Sequence, residues 1–297
     1  MKIKTNSSPK SRTLSEEAWY RFKKNRLAVI AMILLILLSI MAISTVVIDL
    51  VTHNTVYNQY VTTQRLVDRL QPPSKEHILG LDEFGRDILI RIIWGTRYSL
   101  FMGAIAICVA ALVGGIIGAL AGYYSIIDNL LMRIMDIFLA IPTTLLAVAI
   151  VAAMGPSLVN VVIAIAISQT PSFARVIRAQ VLTIKDLEFI EAAKCEGASD
   201  FRIITRYIMP NALSPMIVQI TMGMASAILS IASLSFIGMG VQQPMPEWGA
   251  MLSNARTYIR DAWHITAMPG MAIMITILIL NIIGDGLRDA LDPRMKK

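Results

Sequence analysis

The most chemically distinctive stretch of the sequence is EAAKCEGASDFRIITRYIMPN, residues 191–211. It is rich in charge, yet it lies in a chain of which 56% is hydrophobic. Gly197 can end a helix over about 184–196, because glycine reaches the left-handed conformation at little steric cost. Ser199 or Asp200 can then cap a second helix, FRIITRYIM, that ends before the proline. The pattern predicts a polar helical hairpin, which is either a stiff loop or a docking element.

Motifs for covalent or metal chemistry are absent from the sequence. It has no G-x-x-x-x-G-K-[ST] phosphate loop, no G-x-S-x-G nucleophile elbow and no H-E-x-x-H zinc helix. The three histidines lack metal-ligand spacing. Cys108 and Cys195 fall in different segments, which argues against a structural disulfide. We therefore expect a non-catalytic chain that binds no metal and no cofactor.

The composition places the elements around the hairpin in a membrane. With a mean hydropathy of +0.64 and only 16% charged residues, the 297-residue chain is too apolar for a soluble domain. A helix needs about 20 residues to cross a hydrocarbon core of about 30 Å. Charge-free windows of that size predict an all-α integral membrane protein with six spans, at 27–48, 98–127, 137–174 (two spans divided at Gly155-Pro156), 216–240 and 262–284.

The distribution of basic residues predicts the orientation. With the N-terminus inside, the inner segments hold 19 Lys and Arg and the outer segments hold 8, and basic residues accumulate on the cytoplasmic side. Both termini are therefore expected in the cytoplasm. The net charge of +7 is explained by this orientation and by contact with lipid headgroups, not by nucleic acid. The predicted parts are a cytoplasmic arm (1–26), a first span (27–48), an extracytoplasmic loop with an interfacial helix (49–99), a five-helix core (100–288) with a cytoplasmic loop at 184–210, and a cytoplasmic tail (289–297).

Glycines in the second span form a packing signal. Gly114, Gly118 and Gly122 recur every four residues, so they form one stripe that another helix backbone can approach closely. The stripe fits packing within the chain or a groove for a partner subunit. The predicted span cores carry no Asp, Glu, Lys or Arg, which argues against a self-powered, ion-coupled carrier.

The hairpin resembles the EAA loop of ABC importer permeases. That loop is written EAA, three residues, G, nine residues, then I-x-L-P. Residues 191–193 and Gly197 match its first part, and IMPN at 208–211 is similar to its end, with Met209 in place of the usual leucine before the proline. In the family this loop forms a coupling helix that sits in a groove of the ATPase subunit. The resemblance implies that role for a set of residues here: Glu191, Ala192, Ala193, Gly197, Ile208 and Pro210.

Three more stretches resemble the C-type subunit of the dipeptide/oligopeptide permease group. HILGLDEFGRDILIRIIWGTRYSL (77–100) is similar to the group's outer element, with Leu81 for the usual Thr and Ile90 for the usual Ser. SFIGMGVQQPMPEWGAML (235–252) resembles its segment after the fifth span, and GDGLRDALDPR (284–294) its C-terminal signature. The resemblance covers most of the chain from residue 77 onward and implies a type I ABC importer permease fold.

The outer face is expected to combine two features. A signature formed by Gly85, Arg86 and Asp87 leads into GRDILIRIIWGTRYSL, where apolar residues alternate with arginines as in a helix that lies along the membrane interface. That helix fits either membrane anchoring or docking of a binding protein. The prolines and Trp248 of segment 241–263 predict a rigid loop near the pore mouth.

The resemblance implies a permease subunit of an ATP-driven importer in the bacterial plasma membrane. Expected partners are a homologous permease chain, two ATPase subunits that use ATP and Mg, an extracytoplasmic solute-binding protein and membrane lipid. Short peptides are the cargo that the resemblance suggests, with nickel chelates or glutathione as alternatives. A self-powered secondary carrier is the competing function, and a purely structural or signalling membrane protein is a third.

Overall fold

The computed structural model describes residues 14–291 of the chain. Part of the predicted arm and most of the predicted tail therefore lie outside the described residues. Within that range the secondary structure is helical, apart from one isolated antiparallel bridge between Leu81 and Asp87. The α-helices of the described range are α1 (Leu14–Lys24), α2 (Arg26–Val51), α3 (Ile88–Tyr123), α4 (Ser125–Leu139), α5 (Thr143–Met154), α6 (Leu158–Ile184), α7 (Glu188–Cys195), α8 (Asp200–Arg202), α9 (Met209–Phe236), α10 (Trp248–Ala255) and α11 (His264–Leu291).

Five helices in this part of the chain are long and apolar enough to cross a membrane. They are α2, α3, α6, α11 and the continuous helix Asp200–Phe236, which joins α8 to α9. The pair α4 and α5, bent by 88°, supplies a sixth candidate if the two helices together make one crossing. The predicted all-α membrane fold is confirmed, and five or six candidate spans agree with the six expected.

The helix α2 begins at a capped turn and contacts the rest of the chain along one side only. The Asn25 side chain accepts a hydrogen bond from the Ala28 backbone at 3.1 Å, which fixes the first turn. Ala28 and Ala31 are buried against the neighbouring helices, whereas large side chains such as Leu27 and Leu37 are exposed. This one-sided contact suits a helix whose outer surface meets lipid.

The helix α3 starts ten residues before the predicted span 98–127. Asp87 caps it by accepting a hydrogen bond from the Ile90 backbone at 3.0 Å, and the helix then runs unbroken to Tyr123. At a rise of 1.5 Å per residue its length is about 54 Å. The separate interfacial helix expected within 49–99 is therefore corrected, because its residues are the first turns of α3.

The predicted hairpin over 137–174 has its turn in the expected place but unequal arms. Gly155 adopts a φ of +87° after the end of α5, and Ser157 caps α6 by accepting a hydrogen bond from the Asn160 backbone at 3.1 Å. The first arm is only the 12 residues of α5, which follow the sharp bend after α4. The second arm, α6, extends to Ile184, ten residues beyond the predicted end.

The two helices of the polar hairpin differ from the predicted ones in where they begin or end. The first helix, α7, starts at Glu188, because a turn over 185–187 separates it from α6. The second helix does not end at Pro210. It passes through a π-helical segment, Ile203–Ile208, and continues as α9. A proline lacks an N–H and clashes with the carbonyl four residues earlier, which accounts for the wider turn at this point.

The centre of the bundle is the contact between α3 and α6, and the remaining helices pack around it. Two ends can be distinguished. We call the α7 end the one formed by α1, α4, α7, α8, the C-terminal turns of α3, α6 and α11, and the start of α9. The α10 end carries the 49–87 segment, α10, the starts of α3 and α11, and the end of α9.

Candidate functional site

Four of the six resemblance-derived coupling residues, Glu191, Ala192, Ala193 and Gly197, lie on α7 and the turn that follows it, at the α7 end of the bundle. Ile190 and Ala193 face inward and are buried, whereas Glu191 and Ala192 are exposed. The EAA sequence is therefore divided between an inner anchor and an outer surface. An exposed glutamate and a neighbouring alanine leave a charged, low-relief patch that another protein surface can contact.

Gly197 ends α7 by a change of backbone direction. Its φ is +79°, in the left-handed region that favours glycine. An added Cβ would meet no atom within 4 Å, so the position requires glycine for its backbone angle and not for lack of space. The Ala198 backbone N–H donates to the Ala193 carbonyl at 3.0 Å, which closes the turn. The predicted left-handed glycine is confirmed.

Apolar contacts hold the coupling segment under the ends of α3 and α6. We use this name for residues 185–208. Its Ile190, Ile203 and Ile208 are fully buried in one cluster with residues of both helices: Ala119, Ile177, Val181 and Ile184. Ile208 is thus a core residue. Pro210, the other member of the IMPN match, is exposed at the start of α9.

Polar contacts supplement this anchor. The Tyr123 and Tyr124 hydroxyls donate to the two carboxylate oxygens of Asp200 at 2.7 and 3.1 Å. The Lys185 ammonium donates to the Gly122 carbonyl at 3.2 Å. Asp200 was expected only as a possible helix cap. The two adjacent tyrosines at the end of the second span are visible in the sequence as possible hydrogen-bond donors. Their contact with Asp200 depends on the fold and could not be read from the residues around them.

The glycine stripe of α3 packs against α6 of the same chain. A Cβ added to Gly114 would lie 2.6 Å from the Thr170 carbonyl oxygen, and one added to Gly122 would lie 2.6 Å from the Val181 Cβ. A Cβ added to Gly118 would overlap a backbone carbonyl of α6. Of the two readings of the stripe, the structure therefore favours intrachain packing.

Ion pairs tie α4 to α6 around an open cleft. The Arg178 guanidinium donates to both oxygens of Asp128 at 2.5 and 2.6 Å, and Arg175 donates to Asp136 at 2.8 Å. The cleft between the two helices has a volume of about 840 Å³ and is lined by these four residues and by Arg133. This polar face was not predicted from the sequence.

The outer signature is the centre of a folded loop at the α10 end. Gly85 has a φ of +72°, and an added Cβ would overlap the backbone of Arg65. Asp82 accepts hydrogen bonds from the Phe84 and Arg86 backbones at 2.9 Å and from the Arg86 Nε at 2.7 Å. Asp87 caps α3 and contacts the His77 ring at 2.8 Å. Each residue of the signature thus has a structural task.

The arginines that were expected at the membrane interface are buried instead. Arg86 and Arg91 are 2% and 1% exposed, and both lie within 3.4 Å of the Asp82 carboxylate. Neither side chain is available for lipid headgroups or for a docked protein, so that expectation is corrected. Burial also raises the pKa of the neighbouring Glu83 carboxyl, with Asp82 as the second cause.

Two further polar clusters at this end were not foreseen. Asp49, at the end of α2, accepts hydrogen bonds from the Arg97 guanidinium at 2.6 Å and the Trp94 indole at 3.1 Å, which joins α2 to α3. Glu247 is 1% exposed and caps α10 by accepting the Gly249 and Ala250 backbone N–H groups at 2.9 and 2.8 Å. Burial raises the pKa of the Glu247 carboxyl above its usual value.

The segment 241–263 is more deeply inserted than a loop at a pore mouth. It contains α10, and Trp248 is 1% exposed, with its indole N–H donating to the Ile92 carbonyl of α3 at 3.1 Å. An added Cβ on Gly95 would overlap the Pro246 carbonyl, so the two backbones touch. The segment is therefore part of the core at the α10 end.

Comparison with known proteins decides the family. Residues 111–297 match the family described as binding-protein-dependent transport system inner membrane component, and residues 13–73 match the N-terminal TM domain of oligopeptide transport permease C. The chain belongs to the binding-protein-dependent transport permeases. It is accordingly a non-catalytic, multi-pass subunit of an inner membrane importer, and such importers work with ATPase partners and a binding protein. This family excludes the self-powered carrier.

Relatives at high identity cover nearly the whole chain. A dipeptide transport system permease protein of Alkalihalophilus pseudofirmus is 48% identical over 94% of this chain and 90% of its own length. A glutathione transport system permease protein of Pectobacterium atrosepticum is 43% identical over 96% and 93%. A solved inward-facing methionine ABC transporter, MetNI, has a TM-score of 0.57 at 19% identity, covering 69% of this chain and 98% of the solved one. The last comparison supports the type I importer fold alone.

Proposed function

We propose that this chain is the permease subunit of an importer for dipeptides or short oligopeptides. The observation that carries the proposal is the 48% identity to a dipeptide permease over 94% of the chain. Glutathione is the second candidate, because a glutathione permease is 43% identical over a similar length. Glutathione is itself a tripeptide, so both candidates belong to one chemical class. Nickel chelates, the other alternative from the resemblance, have no comparable support.

The proposed complex contains a second, homologous permease chain, two ATPase subunits and an extracytoplasmic solute-binding protein. ATP and Mg are used by the ATPases, and this chain holds no cofactor itself. The α7 end faces the cytoplasm together with both termini, in keeping with the excess of basic residues in the segments assigned to that side. The α10 end faces outward.

The proposed contact with the ATPase is the exposed side of α7. Glu191 and Ala192 are accessible there, while Ile190 and Ala193 hold the helix to the bundle. A helix that is anchored on one side and free on the other can move with a docked subunit and carry the bundle with it. ATP binding would close the ATPase pair, shift α7 and reorient the path between the two permease chains.

The test is purification and transport with the natural partner subunits. Recovery of ATPase subunits with this chain, together with ATP-dependent uptake of a labelled dipeptide into proteoliposomes, is the expected result. Competition by unlabelled glutathione or by a nickel chelate then ranks the candidate cargoes. Uptake by the chain alone, without ATPases, would refute the proposed function. Uptake that only glutathione inhibits would replace the dipeptide with the second candidate.

A further inference from the structure

The coupling segment is joined to the rest of the bundle at one specific point, the junction between α3 and α4. Tyr123 is the last residue of α3, and Tyr124 separates that helix from α4. Both hydroxyls donate to Asp200, the first residue of α8, at 2.7 and 3.1 Å. One carboxylate therefore binds the last residue of α3 and the single residue that links α3 to α4.

The Asp200 carboxylate is not used as a helix cap. A residue in the first turn of a helix ordinarily gains most by accepting backbone N–H bonds or by facing the helix dipole. Here the helix has no side-chain cap from Ser199, and the two Asp200 oxygens accept the hydroxyls of Tyr123 and Tyr124 at the α3–α4 junction. Both hydrogen bonds are exposed to solvent, so each contributes little energy. Their effect is geometric, because two hydroxyl donors on one carboxylate fix the position of Asp200 relative to the junction.

The junction also leads directly into α4. Ser125, the first residue of α4, directly follows Tyr124, and no loop separates the two helices. Further along, α4 is tied to α6 by Asp128 and Asp136, which border the open cleft of about 840 Å³. A rotation at the junction would therefore change the distance between α4 and α6 and the width of this cleft.

We propose that Asp200 is a positioning residue that transmits the movement of the coupling segment to α4 through Tyr123 and Tyr124. The inference rests on the proposed function, in which the ATPases move α7. The apolar anchor of Ile190 and Ile203 holds the segment in place, but apolar contacts have no direction and allow sliding. The two hydrogen bonds fix direction, so a shift of the segment turns the α3–α4 junction.

The experiment is a double-mutant cycle in the reconstituted complex, with uptake per ATP hydrolysed as the readout. Asp200→Ala and the pair Tyr123→Phe with Tyr124→Phe should each lower this ratio about two- to five-fold, as expected for an exposed polar contact. The triple variant should be no worse than Asp200→Ala, because partners in one contact are not additive. Asp285→Ala, which removes an exposed carboxylate of α11 at the same end, is the matched control and should leave the ratio unchanged.

A distance measurement separates transmission from simple loss of structure. Spin labels on the native Cys195 and on Asn129→Cys, in a Cys108→Ser background, report the separation of α7 from α4; all three native side chains are exposed. Nucleotide binding should leave this separation nearly constant in the unmutated contact, because α4 follows α7. In Asp200→Ala the separation should change.

The outcomes distinguish this inference from the function on which it rests. If ATPase subunits fail to bind the unmutated chain, the proposed function is wrong and this inference with it. If they bind and hydrolyse ATP normally, but Asp200→Ala leaves the uptake ratio unchanged, only the inference is wrong. Additive losses in the triple variant, or a label separation that is the same with and without Asp200, would also overturn it.

Discussion

Substitution of Gly118 should destabilise the protein, because the contact between α3 and α6 leaves no room for a methyl group. A Cβ at this position would overlap the Ala174 carbonyl and lie 3.0 Å from both the Arg178 backbone nitrogen and the Ile177 Cβ. Two of these three atoms belong to the backbone of α6. Relief of the overlap therefore requires a shift of the whole helix, and a change of side-chain rotamer cannot supply it.

The magnitude follows from two opposing terms. Replacing glycine by alanine inside a helix gains up to about 1 kcal/mol of helix propensity. Overpacking of a tight contact costs about 1–3 kcal/mol. Gly118→Ala should therefore lose up to about 2 kcal/mol of stability. Gly115→Ala is the matched control: its Cβ would meet only the flexible end of Met216, at 3.3 Å from Cε, and should be neutral or mildly stabilising.

The assay is thermal unfolding of the purified complex in one detergent, with the amount of assembled chain as a second readout. Gly118→Ala should unfold at a lower temperature than Gly115→Ala, and Gly118→Leu should reduce assembly further. Equal unfolding temperatures for the two alanine variants would refute the reasoning. That result would mean that α3 and α6 can separate by a few tenths of an ångström without cost.

Three further predictions concern other parts of the molecule. The Gly197→Asp variant should insert and assemble, since its backbone strain is only about 1 kcal/mol. It should nevertheless lose ATPase retention or uptake per complex, and Glu191→Ala should have a milder effect. Normal ATPase retention and normal uptake in Gly197→Asp would mean that the hairpin is only a loop. Burial raises the pKa of Glu247 above 4.5, so the folded state favours the protonated form and stability should fall as pH rises above 4.5; Glu247→Gln should flatten that dependence of the unfolding temperature, and an unchanged slope would contradict it. Exposed Thr257→Cys should react with an impermeant thiol reagent in intact cells and Cys195 only after permeabilisation; labelling of Cys195 from outside would overturn the proposed orientation.

Features that depend on local chemistry could be predicted from the sequence. Gly155 and Gly197 both break helices where expected, since a positive φ at glycine is a property of a few neighbouring residues. The apolar spans could also be predicted, because hydrophobicity is a property of each local stretch of sequence. The ends of α3 and α6 were predicted less accurately. At α3 the error arose because Arg91 was assigned to the membrane interface, whereas it is buried and pairs with the Asp82 carboxylate.

The polar contacts of the candidate site could not be predicted in this way. Asp200 meets residues 76 and 77 positions earlier in the chain, and Asp128 meets an arginine 50 positions later. Such pairs depend on how helices pack, which a single sequence does not state. The glycine stripe was recognised as a contact surface, but the identity of its partner, α6, required the fold.

The sharp bend between α4 and α5 has a consequence for the surroundings of the chain. Counted from the turn at Gly155, the 12 residues of α5 extend only about 18 Å, whereas the neighbouring α6 is about 40 Å long. The exposed break at residues 140–142 therefore lies at membrane depth. Hydrocarbon cannot satisfy the free backbone groups of an interrupted helix, so such breaks occur where protein or water covers them. This side of the bundle must therefore face another subunit or an aqueous path.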